Sequence, residues 1–210
     1  MNKALFLALA LATPTAWADE WVVGAGVGQA ESDVDCHAYT SSGLTSHCDD
    51  TDTDYKVSIA YWWDYLGLEV AYYDLGDISR DSQGTVNGEA VTLSEEYNAD
   101  GILYAVAGRL PINDQFEVIG RAGRIRYTAD VRLRASTQTL GADGVNDDHE
   151  GSAGMFGIGV RYRIMPELSI TGEYEQTNDI KIRNVDLGDG STFNTEADVK
   201  IFNITASYHF

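Results

Sequence analysis

Basic residues are scarce in this chain: 14 Lys and Arg stand against 33 Asp and Glu among 210 residues, a formal charge of −19. A phosphate backbone is bound by basic surface, so this balance excludes nucleic acid as a partner. A long apolar run is also missing beyond the first residues. The longest later stretch, around Ile102 to Ala107, falls far short of the ~20 residues a helix needs to cross a bilayer but suffices within a ~10-residue spanning strand. A membrane-spanning form of this chain therefore spans as strands.

Cysteine and histidine are also sparse, at 2 and 4 residues. Cys36-His37 and His47-Cys48 abut, without the separations between paired ligands that a zinc site uses. Asp50-Thr-Asp52-Thr-Asp54 begins like a calcium loop, yet Tyr55 stands where the glycine is needed and Tyr61 where the bidentate glutamate is needed. Gly24-Ala-Gly-Val-Gly28 fails the dinucleotide pattern, because Gln29 takes the place of the last glycine and no helix follows. Neither a metal nor a cofactor is expected. Asn203-Ile-Thr205 matches a glycosylation sequon by chance, inside a strand. Nucleophilic catalysis needs a base held by an acid. His149 lies in a loop, and His209, with Ser207 on the same face, has no evident acid or oxyanion site, so no catalytic residue is assigned.

What the chain does contain begins with an export signal. Met1-Asn-Lys3 precedes an apolar run from Ala4 to Ala12 and then Ala16-Trp-Ala18, an A-x-A cleavage site. Residues 1–18 read as a signal peptide and 19–210 as one domain, whose charge without Lys3 is 13 − 33 = −20. Export passes through an oxidising compartment, so Cys36 and Cys48 are expected to form a disulfide. Closing a loop of that size is worth ~3 kcal/mol in the chain-entropy picture.

Period-2 alternation dominates the rest. The chain ends on Phe202, Ile204, Ala206, Tyr208 and Phe210 alternating with Asn203, Thr205, Ser207 and His209, one set on each face of a strand. A terminal aromatic closing such a strand is a feature of outer-membrane barrels. Phe202, Ile204, Tyr208 and Phe210 are accordingly read as the signal for the barrel-assembly machinery. Seven earlier segments alternate in the same way, at about Glu20 to Ala30, Thr53 to Trp63, Leu66 to Leu75, Glu95 to Leu110, Phe116 to Ala129, Phe156 to Ile164 and Leu168 to Glu175. Short turns such as Pro111-Ile-Asn-Asp114 and Met165-Pro-Glu167 alternate with long connections. The acids crowd into those connections, at Asp33 to Asp54, Asp77 to Asp100, Asp143 to Glu150 and Asp179 to Asp198, which read as four solvated external loops. The fold expected is an eight-stranded antiparallel transmembrane up-and-down β-barrel, monomeric, in the outer membrane of a Gram-negative bacterium. A soluble lipocalin-like barrel would put its apolar set inside. Against it, the polar set contains Glu69, Arg121, Arg161, Arg163 and Glu173 beside glycines, while aromatics gather near strand ends as in a membrane girdle.

Particular motifs go further. Gly67-Leu-Glu-Val-Ala-Tyr72, Leu75-Gly76, Arg109-Leu-Pro-Ile-Asn-Asp114, Arg121-Ala-Gly123, the Thr-Ala-Asp ending at Asp130, Gly157-Ile-Gly-Val-Arg-Tyr162 and Glu173-Tyr-Glu-Gln-Thr-Asn-Asp-Ile180 resemble the OmpA-type transmembrane barrel. Longer relatives continue into a periplasmic peptidoglycan-binding domain. This chain stops at Phe210, so that tethering role is not expected of it. The resemblance also matches Glu69 to the family's acidic gate residue, but Thr171 stands for its basic partner and Arg161 for another acid, so a gate working through those ion pairs does not carry over.

On this parity the lumen receives Lys56, Arg109, Arg121, Arg161 and Arg163 against Glu69, Glu117, Glu173 and Glu175. Charges removed from water must pair, with Glu69 expected opposite Arg161 and Glu173 near Arg121 or Arg163. A static plug and a small, intermittently open porin-like channel are the two readings of that lumen. Arg124, Arg126, Arg132 and Arg134 form a basic cluster late in the fifth segment, where the outer leaflet's lipopolysaccharide phosphates would lie. The role expected is structural or interactive, through surface loops.

Overall fold

A computed structural model describes residues 19–33, 44–86, 88–137, 141–186 and 192–210. The expected signal peptide and Cys36, with its expected bridge to Cys48, lie outside the described residues. The elements are all strands: β1 (Asp19–Ser32), β2 (Leu44–Asp49), β3 (Thr51–Trp63), β4 (Leu66–Val86), β5 (Glu89–Pro111), β6 (Phe116–Thr137), β7 (Gly141–Met165), β8 (Leu168–Asp186) and β9 (Thr192–His209). Eight of them close an antiparallel ring, β1-β3-β4-β5-β6-β7-β8-β9 and back to β1. The ninth, β2, pairs with the far half of β4, from Asp49↔Ser79 to Leu44↔Gly84.

The stagger of the ring follows from its registers. Starting at Glu20 and stepping through Trp62, Gly67, Ala107, Arg121, Gly157, Glu175 and Ile201, the path returns to β1 at Ala30, a shift of 30 − 20 = 10 residues. With ~3.3 Å per residue and ~4.8 Å between strands, eight strands so staggered tilt by ~40° and enclose a backbone cylinder of ~8 Å radius. Side chains fill such a space. Trp62, Tyr73, Leu103, Ile119, Ile125 and Ile201 are fully buried inside it, while Val57, Leu68, Tyr104, Val106, Ile158 and Ile204 are exposed on the outer wall. Apolar outside and mixed inside is the arrangement of a barrel in lipid. At the periplasmic rim Tyr61 meets Trp21 tilted at 4.8 Å and Trp63 edge-on at 4.7 Å, Tyr208 meets Phe210 at 4.7 Å, and Phe116 meets Tyr162 at 5.0 Å.

Above the membrane the structure corrects the expectation of solvated loops. Within the acidic stretch from Asp77 to Asp100, β4 and β5 are paired out to Val86↔Glu89, and β6 and β7 are paired out to Thr137↔Gly141. Those hairpins stand because the lumen parity continues upward: Tyr97, Ala99, Val131 and Leu133 join the apolar cluster of Leu75, Leu103, Ile125, Tyr127 and Met155. β2, β4, β5, β6 and β7 thus form an external sheet. Where β3 hands over to β2, β4 bulges between Asp74 and Asp77; Gly76 adopts φ +75°, and the Asp77 amide donates to the Asp52 carboxylate at 2.7 Å.

Glycine sets the wall thickness at one strand pair. A side chain at inward Gly123 would strike the Tyr104 carbonyl and Ala105, whereas outward Gly120 has no atom within 4 Å of a Cβ position. Gly123→Leu is therefore expected to destabilise the barrel by ~1–3 kcal/mol or more, and Gly120→Leu to leave it folded, read as the temperature at which the compact, fast-migrating band is lost on unboiled gels.

Candidate functional site

The lumen is built in layers. Uppermost is the apolar cluster just described. Beneath it lies an ion cluster whose charged members come from four strands, β3, β4, β6 and β8. Lys56 Nζ on β3 donates to Glu173 at 2.8 Å and lies 3.4 Å from both Glu69 and Glu175. The Arg121 guanidinium on β6 reaches Glu173 at 2.5 Å, Glu175 at 2.7 Å and Glu69 at 3.4 Å. Tyr73 donates its hydroxyl to Glu175 at 2.9 Å and Asn203 donates to the same carboxylate at 3.0 Å. All are buried. Trp62 then closes the cross-section, with Arg109 and Arg161 over its ring at 5.1 and 5.6 Å.

A second cluster fills the periplasmic end. Arg109 donates to Glu20 at 2.6 Å, Arg163 lies 3.3 Å from Glu117 and 3.6 Å from Glu20, and Arg161 lies 3.5 Å from Glu117. A cavity of about 560 Å³ opens here, lined by Glu20, Arg109, Glu117 and Arg163 among others. Counting Glu20, the two clusters set five cations against five carboxylates. The expected Glu69–Arg161 pair is replaced: Glu69 faces Lys56 and Arg121, and Arg161 stands directly opposite Glu117 in the β6–β7 register. Glu173 sits against Arg121 rather than Arg163.

Several residues escaped the sequence reading. Glu20 was one, although it continues the inward parity of β1. Asp54 is fully buried, and neither carboxylate oxygen has a hydrogen-bond donor among the described residues. His209 contacts Ser169 at 2.7 Å, not Ser207, and its other nitrogen lies 2.6 Å from Glu20. A serine, imidazole and carboxylate in line have the order of a hydrolytic triad. Here Ser169 is fully buried, and Glu20 is shared with Arg109. The cluster joins β1, β8 and β9 where the ring closes, beside the bond from the Phe210 amide to the Trp21 carbonyl at 2.9 Å.

Outside the lumen, Arg124, Arg126, Arg132 and Arg134 are all exposed on the outer face of β6. The external sheet carries carboxylates between these two arginine pairs, at Asp100, Asp130, Asp148 and Glu150. Asp130 pairs with Asp148 across the strands, and this hydrogen bond, with its neighbour's charge, raises its pKa above the ordinary aspartate value. The Phe202, Ile204 and Tyr208 face of β9, followed by Phe210 just past its end, is exposed toward lipid.

An eight-stranded ring that is apolar outside, ion-paired inside and aromatic at its rim is a small outer-membrane barrel. The match of residues 16–210 to the OmpA-like transmembrane domain makes the family explicit, and the chain belongs to it. Outer membrane protein A of Salmonella typhi is 29% identical over 146 residues, covering 70% of this chain and 36% of that protein. The same protein of Escherichia coli O157:H7 is 30% identical over the same length and shares. The chain thus spans about a third of these curated relatives. Among solved structures, Ail, the attachment invasion locus protein of Yersinia pestis, aligns with a TM-score of 0.48 at 13% identity, covering 91% of this chain and 98% of that one. The outer membrane protein AlkL gives 0.49 at 14%, covering 95% and 94%. The chain is an outer-membrane protein of a Gram-negative bacterium.

Two outcomes follow from these sites. Arg121→Ala leaves Glu69, Glu173 and Glu175 facing Lys56 alone, and is expected to destabilise the barrel by ~3–5 kcal/mol, measured as the urea midpoint of tryptophan fluorescence. For Asp130, a raised folded pKa means that its contribution is fully present below the ordinary carboxylate range and is lost as pH rises through the folded value. Amide exchange over residues 128–150, corrected for intrinsic rate, is expected to be slower at pH 4 than at pH 7, and Asp148→Asn to abolish the difference.

Proposed function

We propose that the chain is a non-conducting, non-catalytic surface barrel whose external sheet makes contacts outside the cell while its lumen serves as a structural core. One observation carries this reading: below the membrane surface the interior is filled by paired charges, Trp62 and an apolar cap, and above it the strands continue into a built sheet. A solute path through the ring would require Lys56 and Arg121 to release three carboxylates together, which low-dielectric surroundings oppose. The external sheet, in contrast, has its acids in ordered rows, held by bonds such as Asn98 to Asp77 at 2.6 Å and Ser94 to Asp81 at 2.6 Å. Ordered polar rows on a rigid scaffold suit recognition. Delivery to the membrane is assigned to the assembly machinery, reading the exposed aromatic edge of β9.

Planar bilayer recording tests the lumen. The purified, folded chain is expected to give no conductance steps, and a reproducible unit conductance would replace this reading with the channel. Shortening the β4–β5 hairpin by removing residues 79–96 is expected to preserve the gel shift of the folded barrel, separating the external sheet from the barrel beneath it.

A further inference from the structure

The outer face of β6 departs from the rest of the wall. Near the external edge of the apolar belt, neighbouring strands expose aromatics: Tyr72 on β4, Tyr104 on β5, Phe156 on β7 and Tyr174 on β8. At that level β6 exposes Arg124 and Arg126 instead. From Phe116 in the periplasmic girdle, ten residues of a strand tilted by ~40° rise ~25 Å, the height of an outer-membrane barrel's apolar band. Arg126 therefore stands at the plane of the outer leaflet's phosphates. Arg132 and Arg134 lie six and eight residues beyond Arg126, ~15–20 Å higher, across the carboxylates of Asp130, Asp148 and Glu150 and with Arg132 3.5 Å from Glu96.

Below the lower arginines the wall is hollow. Ala122 and Gly120 continue β6 downward, and Gly154 flanks Arg124 on β7. Gly120 and Gly154 have no atom within 4 Å of a Cβ position. The hollow is walled by Val106 on β5 and by Phe156 and Ile158 on β7, all exposed. Two strand spacings, ~10 Å, separate those walls, and the floor from Gly120 to Arg124 runs ~13 Å. That is a trough of hydrocarbon-chain width, headed by two guanidiniums. The Arg124 guanidinium donates to the Ser152 hydroxyl at 3.1 Å, which turns it toward β7 and up to the level of Arg126, above the trough.

We propose that this face binds the phosphorylated, acylated glycolipid of the outer leaflet, with a lipid phosphate on Arg124 and Arg126 and one acyl chain in the trough over Gly120 and Ala122. Arginine's planar fork matches phosphate oxygens in pairs. The carboxylates just above would repel an anion placed higher, and this fixes the phosphate at the lower pair. Of the four sequence-marked arginines, Arg124 and Arg126 form the site and Arg132 and Arg134 do not.

The test is a binding titration of fluorescent lipopolysaccharide onto the full chain folded in detergent micelles, with the gel shift verifying the fold of each variant. R124A/R126A is expected to weaken binding by about tenfold or more, since each removes a charge-assisted contact, and R132A/R134A to keep wild-type binding. Gly120→Leu, which has room to fold, is expected to weaken binding by filling the trough. Dephosphorylated lipopolysaccharide should bind the wild type no better than the intact lipid binds R124A/R126A. Undiminished binding by R124A/R126A, equal loss in R132A/R134A, or equal binding of the dephosphorylated lipid would each overturn the proposal. Displacement by phosphatidylglycerol vesicles at matched lipid concentration would overturn it too, reducing the site to a general anion surface.

Discussion

Five cations and five glutamates form ion pairs in a lumen of ~8 Å radius, and their need to neutralise one another governs the interior. Carboxylates removed from water are tolerable only when cations reach them with good geometry. Lys56 and Arg121 meet that need for Glu69, Glu173 and Glu175 from strands that are not neighbours, so that their contacts with Glu173 and Glu175 reach across the lumen between strands that share no ladder. Tyr73 and Asn203 add donors to Glu175, where the acids outnumber the cations. A ring with another stagger would bring different residues face to face, so the ion pairs fix the register as much as the register fixes them.

Closure of the ring repeats that logic at its seam. β1 and β9 are the first and last strands, far apart in sequence and joined only by pairing. Glu20 accepts from Arg109 on β5 and meets His209 on β9, so one carboxylate near the start of β1 connects both directions around the wall. The aromatic rim covers this joint from the lipid side, with Trp21 against Tyr61 and Tyr208 against Phe210. The Ser169–His209–Glu20 line belongs to this seam, where the buried serine satisfies one imidazole nitrogen and the carboxylate the other.

The wall was legible in the sequence because each spanning segment alternates without interruption, and outward residues such as Val57, Tyr104, Ile158 and Ile204 lie where period-2 reading places them. The external sheet was not legible for a physical reason. Its outer rows are so acidic that Leu93, Tyr97, Val131 and Leu133, which continue the inner alternation, read as scattered apolar residues in solvated loops. The lumen charges were legible in kind and not in partnership. Parity assigns a face to each residue, while the meeting of Lys56 with Glu173 depends on a stagger accumulated around the ring, and that of Arg161 with Glu117 on the register of β6 against β7. Ser169 and Glu20 were hidden from His209 for the same cause.

The continuity of strands through the membrane surface has a mechanical consequence. β7 runs 25 residues without a break from Met165 at the periplasmic turn to Gly141 near the hairpin tip, a spar of ~80 Å. A pull on that tip along the strand loads the β6–β7 hydrogen bonds in shear, many at once, instead of peeling them one after another. The spar is anchored below by the ion-paired lumen. Such a hairpin would transmit tension from outside the cell into the barrel wall as a stiff rod does, where a loop would stretch and absorb it.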